Sequence, residues 1–164
     1  MTERIRHVLF VCSHNSARSI MAEGILRNLA RGRFVAHSAG SHPADRVHPM
    51  ALRTLREMHL PNEGYRNKDW AEFAQPGAPA LDFVLTVCDK AAGETCPVWP
   101  GQPMTAHWGV ADPAAFQGTE EETAKVFWDT AAVLKRRIEL MLALPMEALD
   151  SLSLQQQMRE IGKR

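Results

Sequence analysis

Apolar positions along this chain follow two rhythms. Residues 6–12 (RHVLFVC) and 81–88 (LDFVLTVC) are near-continuous apolar runs, the pattern of parallel strands buried on both faces. Residues 33–38 (RFVAHS) read as a second strand between them and 103–108 (PMTAHW) as a fourth. Helical spacing fills the intervals. Ile20, Ala22, Ile25, Leu26 and Leu29 share one side of a helix over 19–31, and Gly32 stops it. Pro49 suits a first helical turn, and Leu52, Leu55 and Met58 carry that helix to Pro61. Residues 62–80 mix loop and short helix, with breakers at Pro76, Gly77 and Pro79. Thr119 to Glu122 form a capping box, and Phe127, Ala131, Leu134, Ile138 and Met141 then repeat at three and four until Pro145. Residues 146–164 are polar apart from scattered Leu and Met, and predict a weak helix or a loose tail. Strands alternating with helices predict the α/β class: a four-stranded parallel sheet with helices on both faces. The expected organisation is one domain over 1–145 and a C-terminal extension over 146–164.

Composition narrows the functions. A chain of 164 residues with 19 basic and 19 acidic side chains has no bulk charge to attract nucleic acid or a membrane surface. The N-terminus MTERIRHVLF lacks the apolar core of a signal peptide, and no apolar run approaches the ~18 residues of a membrane span. Three cysteines, Cys12, Cys88 and Cys96, are too few and too odd for a secreted disulfide framework. The expectation is a cytoplasmic monomer with functional thiols.

The chemistry gathers at Cys12. It ends the first strand, and Arg18 follows six residues later, where a helix begins near Arg18 or Ser19. A strand, a tight loop and a helix N-terminus aim successive N–H groups at one point, which makes a nest for a tetrahedral oxyanion. The same field is expected to favour a thiolate, the form that acts as nucleophile. The loop residues are Ser13, His14, Asn15, Ser16, Ala17, Arg18 and Ser19. Cys88 also ends a strand. If the first and third strands are neighbours, about 4.8 Å apart, the two sulfurs lie close. Cys96 follows in DKAAGETCPVWPGQP, a loop rich in Gly and Pro and expected to be mobile over 89–103. Three such thiols suggest a relay in which one attacks, one resolves and one carries the oxidation outward. Cys88, Cys96 and His107 lack the close ligand pairs of a structural zinc site.

VLFVCSHNSARSIMAEG, HSAGS, TVCDKAAGETCPVWP and HWGVADPA together resemble the arsenate reductases built on the low-molecular-weight tyrosine phosphatase fold, collinearly over roughly 5–145. The resemblance implies that Cys12 attacks arsenate, Arg18 clamps it, Ser19 donates to the thiolate and Asn15 holds the loop. Asp112, before Pro113, would be the general acid. Cys88 would attack Cys12 to release arsenite, and Cys96 would take over the resulting bond. The implied reductant is external, thioredoxin or a glutaredoxin with glutathione, and no tightly bound cofactor is implied. Phosphate or sulfate would occupy the loop as arsenate does. Some members bind potassium; Asn15, Glu23, Ser38 and Asp69 fall at the similar positions. The chain departs from the pattern at His14 and Ala17, where well-known relatives have Gly and Cys, and its Cys88–Cys96 spacing is one residue longer. A phosphatase hydrolysing phosphate monoesters through Cys12, Arg18 and Asp112 is the alternative. Against it, the DPAAFQG segment has only Phe116 to wall an aromatic pocket, and the single tyrosine, Tyr65, lies elsewhere.

Overall fold

A computed structural model describes residues 4–88, 99 and 102–164. Four parallel strands, β1 (Arg6–Cys12), β2 (Phe34–Gly40), β3 (Phe83–Thr86) and β4 (Met104–His107), form one sheet in the order β2-β1-β3-β4. Helices α1 (Arg18–Leu29), α2 (Pro49–Glu57), α3 (Glu120–Leu142) and α4 (Ser151–Ile161), with short 3-10 turns at Trp70–Ala74 and Pro113–Ala115, complete the described elements. The class is the expected α/β one.

The apolar runs explain the sheet. Val8, Leu9, Phe10 and Val11 are all fully buried, so β1 is covered on both faces. Its register sets Val11 beside Ala39 of β2 and Thr86 of β3. The strands are shorter than their apolar runs at β3, where regular pairing stops at Thr86. Two bonds extend the alignment beyond it: Val87 N–H donates to Val11, and Val110 N–H donates to Val87.

The helices differ instructively from their predicted stripes. In α1 every residue from Ser19 to Leu26 is buried, because the helix lies between the sheet and both α2 and α3. Its end comes at Leu29, with Arg31 and Gly32 both left-handed at φ 50° and 83°. Only Gly takes that conformation freely. In α2 the buried face is Ala51, Thr54 and Leu55; Leu52 and Met58 are half-buried. The capping box of α3 is complete, with Glu122 N–H donating to Thr119 Oγ1 and Thr119 N–H donating to Glu122 Oε1.

The C-terminal segment is a helix. Asp150 caps it by accepting from Ser153 N–H at 2.8 Å, and Leu154, Met158 and Ile161 bury one face. It packs on β4, the edge strand, and Met158 C=O accepts from the Trp108 indole at 2.8 Å. A Cβ at Gly162 would collide with the His107 carbonyl, so this contact needs glycine. No described helix is long and apolar enough to cross a membrane.

Candidate active site

The last residue of β1 and the first of α1 bracket the loop predicted to bind an oxyanion. Cys12 stands opposite Gly40 at the end of β2. A Cβ at Gly40 would lie 2.6 Å from Ser13 C=O and 2.9 Å from Asn15 N, so glycine is required for this approach. Asn15 is left-handed at φ 49°, a conformation asparagine tolerates better than most residues. The Asn15 amide fixes the turn from both ends. Its Nδ2 donates to Ser19 Oγ at 2.9 Å, and its Oδ1 accepts from Lys68 N–H at 2.9 Å.

The loop carbonyls are all tied outward. Cys12, Ser13, His14 and Ser16 accept from the N–H groups of Ser41, His42, Ala44 and His48, and Asn15 C=O accepts from Asn67 Nδ2 at 2.7 Å. No described protein acceptor takes the N–H groups of His14 to Ala17. Ala17 stands at the N-cap of α1 and supplies no side-chain cap. A Ser or Asp there would occupy the first-turn amides. The cradle is therefore one of unclaimed donors at a positive helix end, the physical requirement for holding an anion.

Cys12 is 2 % exposed. Its sulfur lies 2.8 Å from Ser19 Oγ. Burial pushes the thiol above its ordinary value; the Ser19 hydroxyl and N–H and the Arg18 charge oppose this, and Cys88 adds to it. This corrects the expectation of a thiolate favoured outright. The groups that favour the charged form are in place, and desolvation outweighs them here.

Arg18 connects the loop to the segment after β4. Its Nη1 donates to Val110 C=O at 3.0 Å, and its Nη2 lies 3.6 Å from Asp112 Oδ2. The Asp112 Oδ1 accepts from Ala114 N–H and caps the turn begun by Pro113. Cys88 is buried with its sulfur 3.5 Å from Ser13 Oγ. The fold thus brings Cys12, Cys88, Arg18 and Asp112 to one end of the sheet. Cys96, and most of the segment expected to be mobile, lie outside the described residues.

His48 joins this site without having been singled out from sequence. Its Nδ1 accepts from Met50 N–H as the cap of α2, and its ring packs 4.9 Å from Phe127. Burial lowers its pKa, with the Asp112 charge pulling the other way. The one sequence signal was a His just before Pro49, a helix-start position. Arg137 was also missed: this buried α3 guanidinium donates to the carbonyls of Trp108 and Gly109, and no local pattern marks it.

The four residues named for potassium have their oxygens engaged by the protein. Glu23 accepts from Ser38 Oγ and Arg27, and the Lys68 ammonium lies 3.9 Å from its Oε1. Asn15 Oδ1 accepts from Lys68 N–H, and Asp69 Oδ1 caps the 70–74 turn through Ala71 N–H. With two cationic side chains already beside Glu23, this arrangement does not fit a bound potassium ion.

The low molecular weight phosphotyrosine protein phosphatase model matches residues 7–157. An arsenate reductase of Oceanobacillus iheyensis is 33% identical over 133 residues, 81% of this chain and 92% of that one. A glutaredoxin arsenate reductase of Synechocystis is 29% identical over 85% of this chain and 98% of its own. The solved structure of an arsenate reductase in the phosphate binding state superposes with a TM-score of 0.69 at 29% identity, covering 84% of this chain and 97% of that one. Built on this loop, sheet order and acid-bearing segment, the chain belongs to the low molecular weight phosphotyrosine protein phosphatase family and is similar within it to proteins named arsenate reductases.

Proposed function

We propose that this protein reduces arsenate to arsenite with its own thiols and is recharged by an external thiol donor. The observation that carries the reading is the second buried cysteine, Cys88, beside the loop of the first. Hydrolysis of a phosphate ester needs one thiol; a two-electron reduction needs two.

Arsenate enters the amide cradle, and Arg18 turns its guanidinium from Val110 and Asp112 to the oxyanion. The Cys12 thiol gives its proton to an arsenate oxygen, and the sulfur attacks arsenic. Ser19 supports the developing thiolate. Asp112 supplies a proton so that one oxygen leaves as water, giving a Cys12–arsenic(V) adduct. Cys88 gives its proton to an oxygen of the departing arsenic group, and its sulfur attacks the Cys12 sulfur. The S–As bond breaks with its electron pair passing to arsenic, which leaves as arsenite, and a Cys12–Cys88 disulfide remains. Cys96 attacks Cys88, freeing Cys12 and forming Cys88–Cys96, which the donor reopens. Thioredoxin, or a glutaredoxin with glutathione, supplies those electrons; the similarity to a relative named for glutaredoxin supports the second. Such chemistry belongs in a reducing compartment, the cytoplasm. Phosphate and sulfate share the loop as competitors.

The test is a thiol count on fully reduced protein before and after one equivalent of arsenate, with no other reductant. Loss of two thiols, mapped to Cys88–Cys96, is expected. A Cys12–Cys88 bond would remove Cys96 from the relay. Survival of all three thiols alongside hydrolysis of an aryl phosphate would replace the reductase reading with a phosphatase.

A further inference from the structure

The five residues from Trp108 to Asp112 carry the acid from the edge of the sheet to the loop. Their backbone is held on both sides. The N–H groups of Trp108 and Val110 donate to Thr86 and Val87, continuing the pairing of β3. Three successive carbonyls each accept from a guanidinium. Arg137 Nη1 donates to Trp108 C=O at 2.7 Å and Gly109 C=O at 3.2 Å, and Arg18 Nη1 donates to Val110 C=O at 3.0 Å. Arg18 belongs to the oxyanion loop. Arg137 stands on α3, away from it.

Arg137 is 7 % exposed, and among the described residues the charge that acts on it is another cation, Arg136. Its Nε is buried with no partner. Burying a guanidinium without a counter-charge is costly. Among the described residues that cost is offset by two backbone carbonyls, three and four residues before Asp112. A purely structural tie at this point could be made by any neutral donor. A planar cation that bridges two adjacent carbonyls instead sets the direction in which the chain leaves β4, and so where Asp112 emerges.

We infer that Arg137 is a positioning residue for Asp112: by clamping the Trp108 and Gly109 carbonyls it aims the carboxyl at the oxygen that must leave. This rests on the reading of Asp112 as the acid. Because the clamp acts on the proton donor, its loss weakens turnover and leaves oxyanion binding alone. The Cys12 loop, held by the 41–48 segment and Asn67, does not depend on it.

The experiment is a double-mutant cycle on the full chain, with arsenate turnover under saturating external reductant. Asp112→Asn is expected to lower kcat by roughly 100-fold, the lower range for losing a general acid. Arg137→Gln is expected to lower kcat by about 10-fold or more with KM for arsenate unchanged, and Arg137→Lys to recover part of it. In the Asp112→Asn background, Arg137→Gln should cost nothing further. Arg137→Lys retains the cation and stands in if Arg137→Gln does not fold. Independent, multiplying losses, an unchanged kcat in the Arg137 variants, or a KM effect alone would each overturn the inference. A silent Asp112→Asn would instead remove the acid role itself, and this inference with it.

Discussion

Ser19 illustrates how much one hydroxyl carries at this site. It meets the Cys12 sulfur at 2.8 Å and the Asn15 amide at 2.9 Å, so it couples the nucleophile to the residue that shapes the turn. Burial already holds the Cys12 thiol above its ordinary value, and Ser19 is the leading opposing group. Ser19→Ala is therefore expected to slow alkylation of Cys12 by a small haloacetamide at neutral pH by about 10-fold or more, the value of one hydrogen bond to a charged group. An unchanged pH–rate profile would remove that role. Cys12, Asn15, Arg18 and Ser19 were legible in sequence because the chain itself places them together. Cys88 was legible as a second thiol at a strand end, and Asp112 only through the family pattern; the fold brings Cys88 to Ser13 across 75 residues and Val110, just before Asp112, to Arg18 across 92. Arg137 and His48 left no such trace. The direction of the Cys12 shift could not be read either: a motif shows donors, not how dry the sulfur will be.

Between strands, β1 and β2 are joined across one face by His7 and His37, whose ring nitrogens lie 2.9 Å apart with the rings stacked at 5.2 Å. Phe73 of the 70–74 turn packs edge-on against His37. Burial, then the charges of His7, Lys68 and Arg27, lowers the His37 pKa from 6.5 to about 4. The unfolded chain thus takes up this proton near pH 6.5 and the folded one only near 4. Between those values the unfolded state binds more protons, and stability falls as the pH drops. The ring is partly exposed, so the loss is about 1 kcal/mol after screening, or roughly 2–4 °C in Tm. Tm measured at pH 7 and pH 5 should fall for the parent protein and fall less for His37→Gln; parallel falls would count against the pair.

Helix α4 marks the limit of pattern reading at the same scale. Leu154, Met158 and Ile161 follow helical spacing, but Leu152, 81 % exposed, and the surrounding glutamines blur the stripe. Ending the chain at Asp150 would remove those three side chains and uncover Trp108. Each is worth about 1.5–3 kcal/mol, so a loss of several kcal/mol in urea unfolding is expected. Leu152→Glu should change stability by less than ~0.5 kcal/mol. Equal effects of the two would show that α4 does not cover the sheet edge.

Across the whole molecule, the sheet order β2-β1-β3-β4 explains why one end carries the chemistry. The chain leaves β1 toward β2 on one side, while β3 and β4 lie on the other, so a crevice opens where the order reverses. Cys12 ends β1 and Cys88 follows β3, one on each flank of that crevice. Alternation of strands and helices foretold the layers, because burial on both faces leaves a continuous apolar run. It did not foretell the order, which depends on pairings between segments far apart in the chain. The loop itself holds its shape through main-chain ties: five of its carbonyls are anchored from outside, and it turns on Asn15 and Gly40. Side chains at His14 and Ser16 make no part of that frame. A lineage carrying this cradle is free to drift at those two letters while its anion chemistry stays intact, and a search demanding their identity would pass over enzymes that do the same work.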